Sequence, residues 1–171
     1  DTNVIDSGEE TRPALSLLSS FISIIYSAKL HNYNSIAILE DDCFFVENWK
    51  EKFQNFYSNI PNDWDLINLG YHPLHESDTI KEKINDFVYK PLNYHHTSHC
   101  MVVKNTCFDE YININNKFKY TMPSDYVFNE IYKNPSYKSF YPVEKFVYQL
   151  SVRNIGYEIS GADLRFKSLI R

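Results

Sequence analysis

Apolar residues at positions 14, 17, 18, 21, 24, 25 and 28 (Ala, Leu, Leu, Phe, Ile, Ile, Ala) repeat at the spacing of one helical face. They predict an amphipathic helix over 14–31, with serines on much of its other side and Pro13 suited to its first turn. Asn32-Tyr33-Asn34-Ser35 is turn material. The continuous run Ile36-Ala37-Ile38-Leu39 then passes directly into Glu40-Asp41-Asp42, and apolar character resumes at once with Cys43-Phe44-Phe45. A short apolar run of this kind predicts a strand buried on both faces, as in a parallel sheet. Further on, Trp49, Phe53, Phe56 and Ile60 share one helical face between Glu47 and Ile60, closed by Pro61-Asn62-Asp63. Asp65 to Gly70 predicts another buried strand.

Helix, strand, helix, strand with short turns is the pattern of βαβ units. The expected fold class is α/β: a mixed, largely parallel sheet flanked by helices, forming a single domain over 1–171. Residues 71–96 are less regular, with Pro73, Lys81-Glu82-Lys83, Phe87-Val88-Tyr89 and Pro91, and suit a substrate-covering connection. Thr97–Val103 predicts a third strand, Asn105–Ile112 a short helix, and Pro123-Ser124-Asp125 the start of another helix with Tyr126, Val127, Ile131 and Tyr132 as its apolar face. Tyr137–Tyr141 and Phe146–Leu150 read as late strands, while the tail from Ser151 onward has no clear period.

Composition narrows the partners. With 43% hydrophobic and 16% aromatic residues in 171, the chain can bury a core and is not disordered. Seventeen basic against 22 acidic residues give a net charge of −5 without a basic stripe, so nucleic acid is not an expected partner. No apolar run approaches the ~20 residues of a membrane span, and the first residues lack a signal peptide's pattern. Cys43, Cys100 and Cys107 are odd in number and lack CxxC spacing, which argues against a zinc site or a disulfide framework. The expectation is a soluble protein of a reducing, cytoplasmic compartment.

The acids carry the clearest candidate chemistry. Three adjacent carboxylates in an apolar frame repel one another, and a bound cation is the simplest compensation. Along an extended backbone Glu40 and Asp42 would share one side and Asp41 the other. Such a set offers hard oxygen ligands to Mn²⁺ or Mg²⁺, with Asp42 the leading metal ligand and Glu40 or Asp41 sharing it; a solvated acidic turn is the plainer alternative. Asp125, at a helix start, has its plainer reading as an ordinary first-turn acid favoured by the helix dipole and also suits a general base or metal contact. His95, His96 and His99 lack helical metal-site spacing; His99, opening an apolar strand, is the one placed to serve as a metal ligand. Asn68 and Gly70 close their strand, Gln149 and Ser151 are polar strand ends, and Asp63 and Asp65 read as turn and strand-start residues.

In order, Ile38-Leu39-Glu40-Asp41-Asp42-Cys43, Asp63-Trp64-Asp65-Leu66-Ile67-Asn68-Leu69-Gly70, Ser98-His99-Cys100-Met101-Val102-Val103, Pro123-Ser124-Asp125-Tyr126 and Tyr148-Gln149-Leu150-Ser151 resemble the successive motifs of glycosyltransferase family 25, the lipooligosaccharide and collagen-galactosyltransferase type. The resemblance spans about residues 14–154. The family's first strand, Ile-Asn-Leu-x-x-Arg-x-x-Arg, which helps hold the uracil base, finds no match ahead of it: either the sequence is a fragment, or its first 13 residues do less than the family's start does.

What the resemblance implies is a GT-A-type fold and a metal-dependent hexosyltransferase. It would move galactose or glucose from a UDP-sugar to a hydroxyl on a glycan or protein, with inversion, in a setting such as lipopolysaccharide biosynthesis. It implies Asp41 and Asp42 at the metal, Asp125 as catalytic base, and Glu40, Asn68, Gly70, His99, Gln149 and Ser151 at the substrates. Two other readings stand beside it. One is a non-catalytic sugar- or nucleotide-binding or companion domain; the other, disfavoured by the missing Asp-x-Asp-x-Thr motif, is a metal-dependent phosphohydrolase or nuclease.

Overall fold

The structure, a computed structural model, describes residues 11–71, 81–91 and 97–149. Helix α1 (Thr11–Leu30) leads into strand β1 (Ser35–Leu39), and a short strand β2 (Cys43–Phe45) follows the acidic turn. Helix α2 (Trp49–Asn59), strand β3 (Leu66–Asn68), and strands β4 (Lys81–Lys83) and β5 (Val88–Pro91) come next. Strand β6 (Cys100–Lys104) runs through a turn of 3₁₀ helix into α3 (Phe108–Lys117). Helix α4 (Ser124–Lys133) and strands β7 (Ser139–Pro142) and β8 (Val147–Gln149) complete the described chain.

The main sheet has the order β1-β6-β3-β7-β5-β4, and β2 pairs with β8 in a separate ribbon. The class is mixed α/β, as expected, but the largely parallel sheet is not what forms. Among the described residues, only β3 and β7 pair in parallel; β1–β6, β3–β6, β4–β5 and β5–β7 are antiparallel. The crossover from β1 through α2 does return β3 in the same direction as β1. β6 then inserts between them, pointing the other way, which local periodicity has no means of signalling. The same arrangement makes β1 an edge strand. Ile38 is buried, but Ala37 is exposed and Leu39 is 48% exposed, so the expectation of burial on both faces fails.

Alternation along the central strands sorts side chains into two cores. Ile38, Leu66, Met101 and Val103 face α1, α3 and α4, meeting Leu18, Phe21, Ile25, Tyr111, Phe128 and Ile131. Ile67, Leu69, Cys100 and Phe140 face the other way onto Phe56 of α2, Ile60 just after it, and Phe146 and Val147 at β8. Each such large side chain removed from water contributes about 1.5–3 kcal/mol, so the sheet is clamped from both sides.

Several elements differ in detail from expectation. Residues 81–91 form a hairpin, β4 with β5, whose second strand joins the sheet beside β7. In α4 the buried face includes Phe128, while Tyr126 is 43% exposed. The tail beyond Gln149, with Ser151, lies outside the described residues, as do His95 and His96. Among the described residues, no helix is long and apolar enough to cross a membrane.

Candidate functional site

Strand directions fix where the polar residues gather. β1 and β3 end at the same edge of the sheet where the reversed β6 begins, with Leu39 opposite Cys100 and Asn68 opposite Met101. Glu40, the segment after Asn68, and Thr97-Ser98-His99 are thereby brought together although they lie far apart in sequence. The Glu40 N–H donates to the His99 carbonyl at 2.9 Å, and Leu69 N–H donates to the Cys100 carbonyl at the same distance.

The strand does not continue through the acids. Cys43 N–H donates to the Glu40 carbonyl at 3.2 Å, closing a turn over Asp41 and Asp42. The expected two-sided alternation of Glu40, Asp41 and Asp42 is therefore replaced by turn geometry; backbone bonding to β6 stops the extended run at Glu40.

The Glu40 carboxylate accepts from Ser98 Oγ at 3.2 Å and from Gln149 Nε2 at 3.3 Å. Gln149 reaches it because β8 pairs with β2, placing Gln149 opposite Cys43. Ser98 is in turn bonded to Ser124 at the start of α4, Oγ to Oγ at 2.9 Å. Burial, opposed by the Ser98 bond and reinforced by the charges of Asp42, Asp125 and Asp41, pushes the Glu40 carboxyl up to about 7. Every charged group named in that shift is an acid. One oxygen of Asp42, Oδ1, is buried without a hydrogen-bond partner among the described residues. A buried carboxylate oxygen left unpaired is costly and calls for a ligand or ion.

Asp125 occupies the first turn of α4, where the dipole favours an acid, and its Oδ1 accepts from the Tyr126 N–H at 3.0 Å. Asn129, one turn on, donates to the Asp125 carbonyl at 2.8 Å. The acid's charge reaches Glu40, so both plain and chemical roles meet at one residue.

His99, Asn68 and Gly70 form the floor. A Cβ on Gly70 would sit 2.0 Å from His99 Nε2, so only glycine admits the buried imidazole there. Asn68 Oδ1 accepts from the Gly70 N–H at 3.0 Å, and its amide donates to the Thr97 carbonyl at 3.2 Å. Thr97, a β-branched residue at φ 87°, is held there as its hydroxyl donates to the Gly70 carbonyl at 2.9 Å. Tyr132 of α4 packs against the core on the α1 side of the sheet, and burial raises its phenol's pKa.

The structure thus gathers Glu40, Asp41, Asp42, Asp125 and Gln149, with His99, Asn68 and Gly70 along the same sheet edge. Thr97, Ser98, Ser124 and Tyr132 join through contacts that sequence spacing leaves unassigned. Three of them had a signal: Ser98 adjoins His99, Ser124 adjoins Asp125, and Tyr132 lies two helical turns after Asp125. Asp63 and Asp65 stay out of the group. Asp63 pairs with Lys138, and Asp65 accepts from Lys138 N–H at 2.8 Å and from Thr106 Oγ1 at 2.5 Å.

Among the described residues, no three His, Cys, Asp or Glu side chains stand close enough to form a ready metal cage. The donors nevertheless suit a hard divalent cation: all are carboxylate oxygens, they repel one another, and one is buried and unpaired. In comparison with known proteins, no family model matches the chain, and no curated protein matches it.

Proposed function

We propose that the protein is a metal-dependent glycosyltransferase that moves a hexose from a UDP-sugar to a hydroxyl acceptor, with Mn²⁺ or Mg²⁺ as cofactor and a GT-A-like site. The observation that supports this most is the convergence of Asp41, Asp42 and Asp125 on Glu40, with the Glu40 carboxyl raised to about 7 and Asp42 Oδ1 left unpaired. Such a cluster is adapted to a ligand that brings positive charge.

In this reading Asp42 and Asp41 hold the cation. When bound, the cation neutralises charge developing on the departing nucleoside diphosphate. Asp125 accepts the proton of the acceptor hydroxyl, which attacks the sugar in line, so inversion needs no covalent sugar–protein intermediate. Glu40 is held by Ser98 and Gln149 and faces the donor. His99 and Asn68 are assigned to the donor sugar by resemblance, and Gly70 makes room for the His99 imidazole. Ser151, in the segment beyond β8, is assigned to acceptor contact by resemblance alone.

The test is release of UDP from UDP-galactose and UDP-glucose with Mn²⁺, with and without a panel of hydroxyl acceptors. The expected result is metal-dependent release stimulated by one acceptor and abolished in Asp125→Ala. Tight metal-dependent nucleotide binding with no turnover on any acceptor would favour a binding or companion domain instead.

A further inference from the structure

The two outer strands of the main sheet are built differently. On one side β4 is Lys81-Glu82-Lys83, short and charged at every position, the kind of edge that refuses a further strand. On the other, β1 is Ser35-Ile36-Ala37-Ile38-Leu39, longer, without a charge or a proline, and in unbroken register with β6. The Asn34 carbonyl accepts from the Asn105 N–H, and the Glu40 N–H donates to the His99 carbonyl, both at 2.9 Å. Backbone groups alternate in direction along a strand, so residues 34, 36, 38 and 40 turn theirs toward β6. The N–H and carbonyl groups of Ser35, Ala37 and Leu39 therefore point outward, to the side on which no described strand lies. Apolar surface gathers at the same edge. Leu39 is 48% exposed, and Leu30 and Tyr33, which lead into β1, are 79% and 54% exposed.

We propose that β1 pairs antiparallel with β1 of a second copy of this chain, joining the two main sheets across a two-fold axis at Ala37. A two-fold interface uses the same surface on both copies, and an antiparallel strand pair meets that condition. With Ala37 opposite Ala37 and Ser35 opposite Leu39, the outward N–H and carbonyl groups of one strand meet those of the other. Side chains directly opposite share a face, so Ala37 and Leu39 of both copies form one row on the face away from Ile38. The exposed Leu39 then gains apolar neighbours.

Charge selects this direction. The Glu40–Asp42 turn follows β1 at once, so parallel pairing of two copies would set the two acidic turns side by side, where their carboxylates repel. Antiparallel pairing instead sets each turn beside the His31-Asn32-Tyr33-Asn34 segment of the other copy, which carries no acid. The charged β4 edge stops the assembly at two copies, because one edge of each sheet is open to pairing and the other is not. A strand pair of this length covers less than the roughly 1,200 Å² of a standard stable interface, so the dimer is a weak, micromolar one that depends on concentration. The backbone edge carries this inference, and the transferase reading does not enter it.

The experiment is sedimentation velocity of the whole chain from low to several hundred micromolar, with amide exchange read residue by residue at both ends of the series. Expected is a monomer that passes to twice its mass as concentration rises. Over the same range the Ala37 and Leu39 N–H groups should exchange about tenfold more slowly, while those of Ile36 and Ile38, already directed to β6, should not change. Ala37→Lys sets like charges opposite each other at the axis from an exposed position, and should weaken association about tenfold or more. Glu82→Lys, on the other edge, should leave association unchanged. A chain that stays monomeric throughout, a dimer as strong in Ala37→Lys as in the wild type, or a dimer with unchanged Ala37 exchange would each overturn the proposal. Should Ala37→Lys fail to fold, the wild-type exchange at Ala37 still decides. None of these readouts requires nucleotide or metal, so they stand apart from the success or failure of the transferase assignment.

Discussion

Two acidic segments flank strands of the same sheet and have opposite surroundings. Asp63 and Asp65, at the start of β3, face cations and donors. Lys138 pairs with Asp63, and Lys104 donates to the Trp64 carbonyl at 3.1 Å while its ammonium lies 5.1 Å from the Trp64 ring. Asp65 takes the Lys138 N–H and the Thr106 hydroxyl. Lys138 holds the Asp63 carboxyl below its ordinary range, whereas burial and neighbouring acids push Glu40 above it. Around Glu40, Asp41 and Asp42 the bonded partners are a serine and an amide, and the charged neighbours are more acids. An acid whose partners are supplied by the fold serves the fold. Acids left to repel one another are held for something the fold does not contain.

The largest expected effect on stability comes from the strand that links the two regions. Gly70→Ala would press a Cβ into the His99 ring at 2.0–2.7 Å. It should destabilise the protein by about 3 kcal/mol, read as a lower denaturant midpoint, or else expel the imidazole from the core. Asp65→Ala should cost about 1 kcal/mol by removing the acceptor of the exposed Lys138 N–H and Thr106 hydroxyl, which water replaces, and should leave metal and nucleotide binding intact.

Glu40→Gln sharpens the contrast through pH. Because the folded-state pKa is raised from 4.5 to about 7, the folded state holds this proton more tightly than the unfolded chain. The resulting stability is fully present below about 4.5 and is lost as pH rises through about 7. After allowance for solvent screening at this part-exposed group, the wild type should lose about 1–2 kcal/mol over that window that the Gln variant does not. Denaturant titrations across the pH series would show it; parallel curves for the two proteins would contradict the buried-acid account. The smallest effect belongs to Asp63→Asn, which removes an exposed ion pair with Lys138. Its melting midpoint should barely fall, and less still in high salt.

Legibility in the sequence followed the range of the interaction. Helical periodicity located α1 and α2 because the information lies within a few turns, and the Asp65–Gly70 run located β3 for the same reason. Insertion of β6 between β1 and β3 is long-range pairing, and it turned an expected parallel, doubly buried β1 into an antiparallel edge. At the site, the acids and His99 stood out by residue type and setting. What could not be read was their support. Ser98 and Ser124 meet through tertiary packing, Thr97 is held at positive φ by Gly70, and the acids turn rather than extend.

The central claim is that the Glu40–Asp42 turn binds a cation and a nucleotide while the Asp63–Asp65 segment does not. It is tested most directly by calorimetric titration of UDP, with and without Mn²⁺, into the wild type, Asp42→Asn and Asp65→Asn. The account predicts Mn²⁺-dependent binding in the wild type and in Asp65→Asn, weakened about a hundredfold or more in Asp42→Asn with its fold intact. Equal binding by wild type and Asp42→Asn, or no binding by a well-folded wild type, would contradict it.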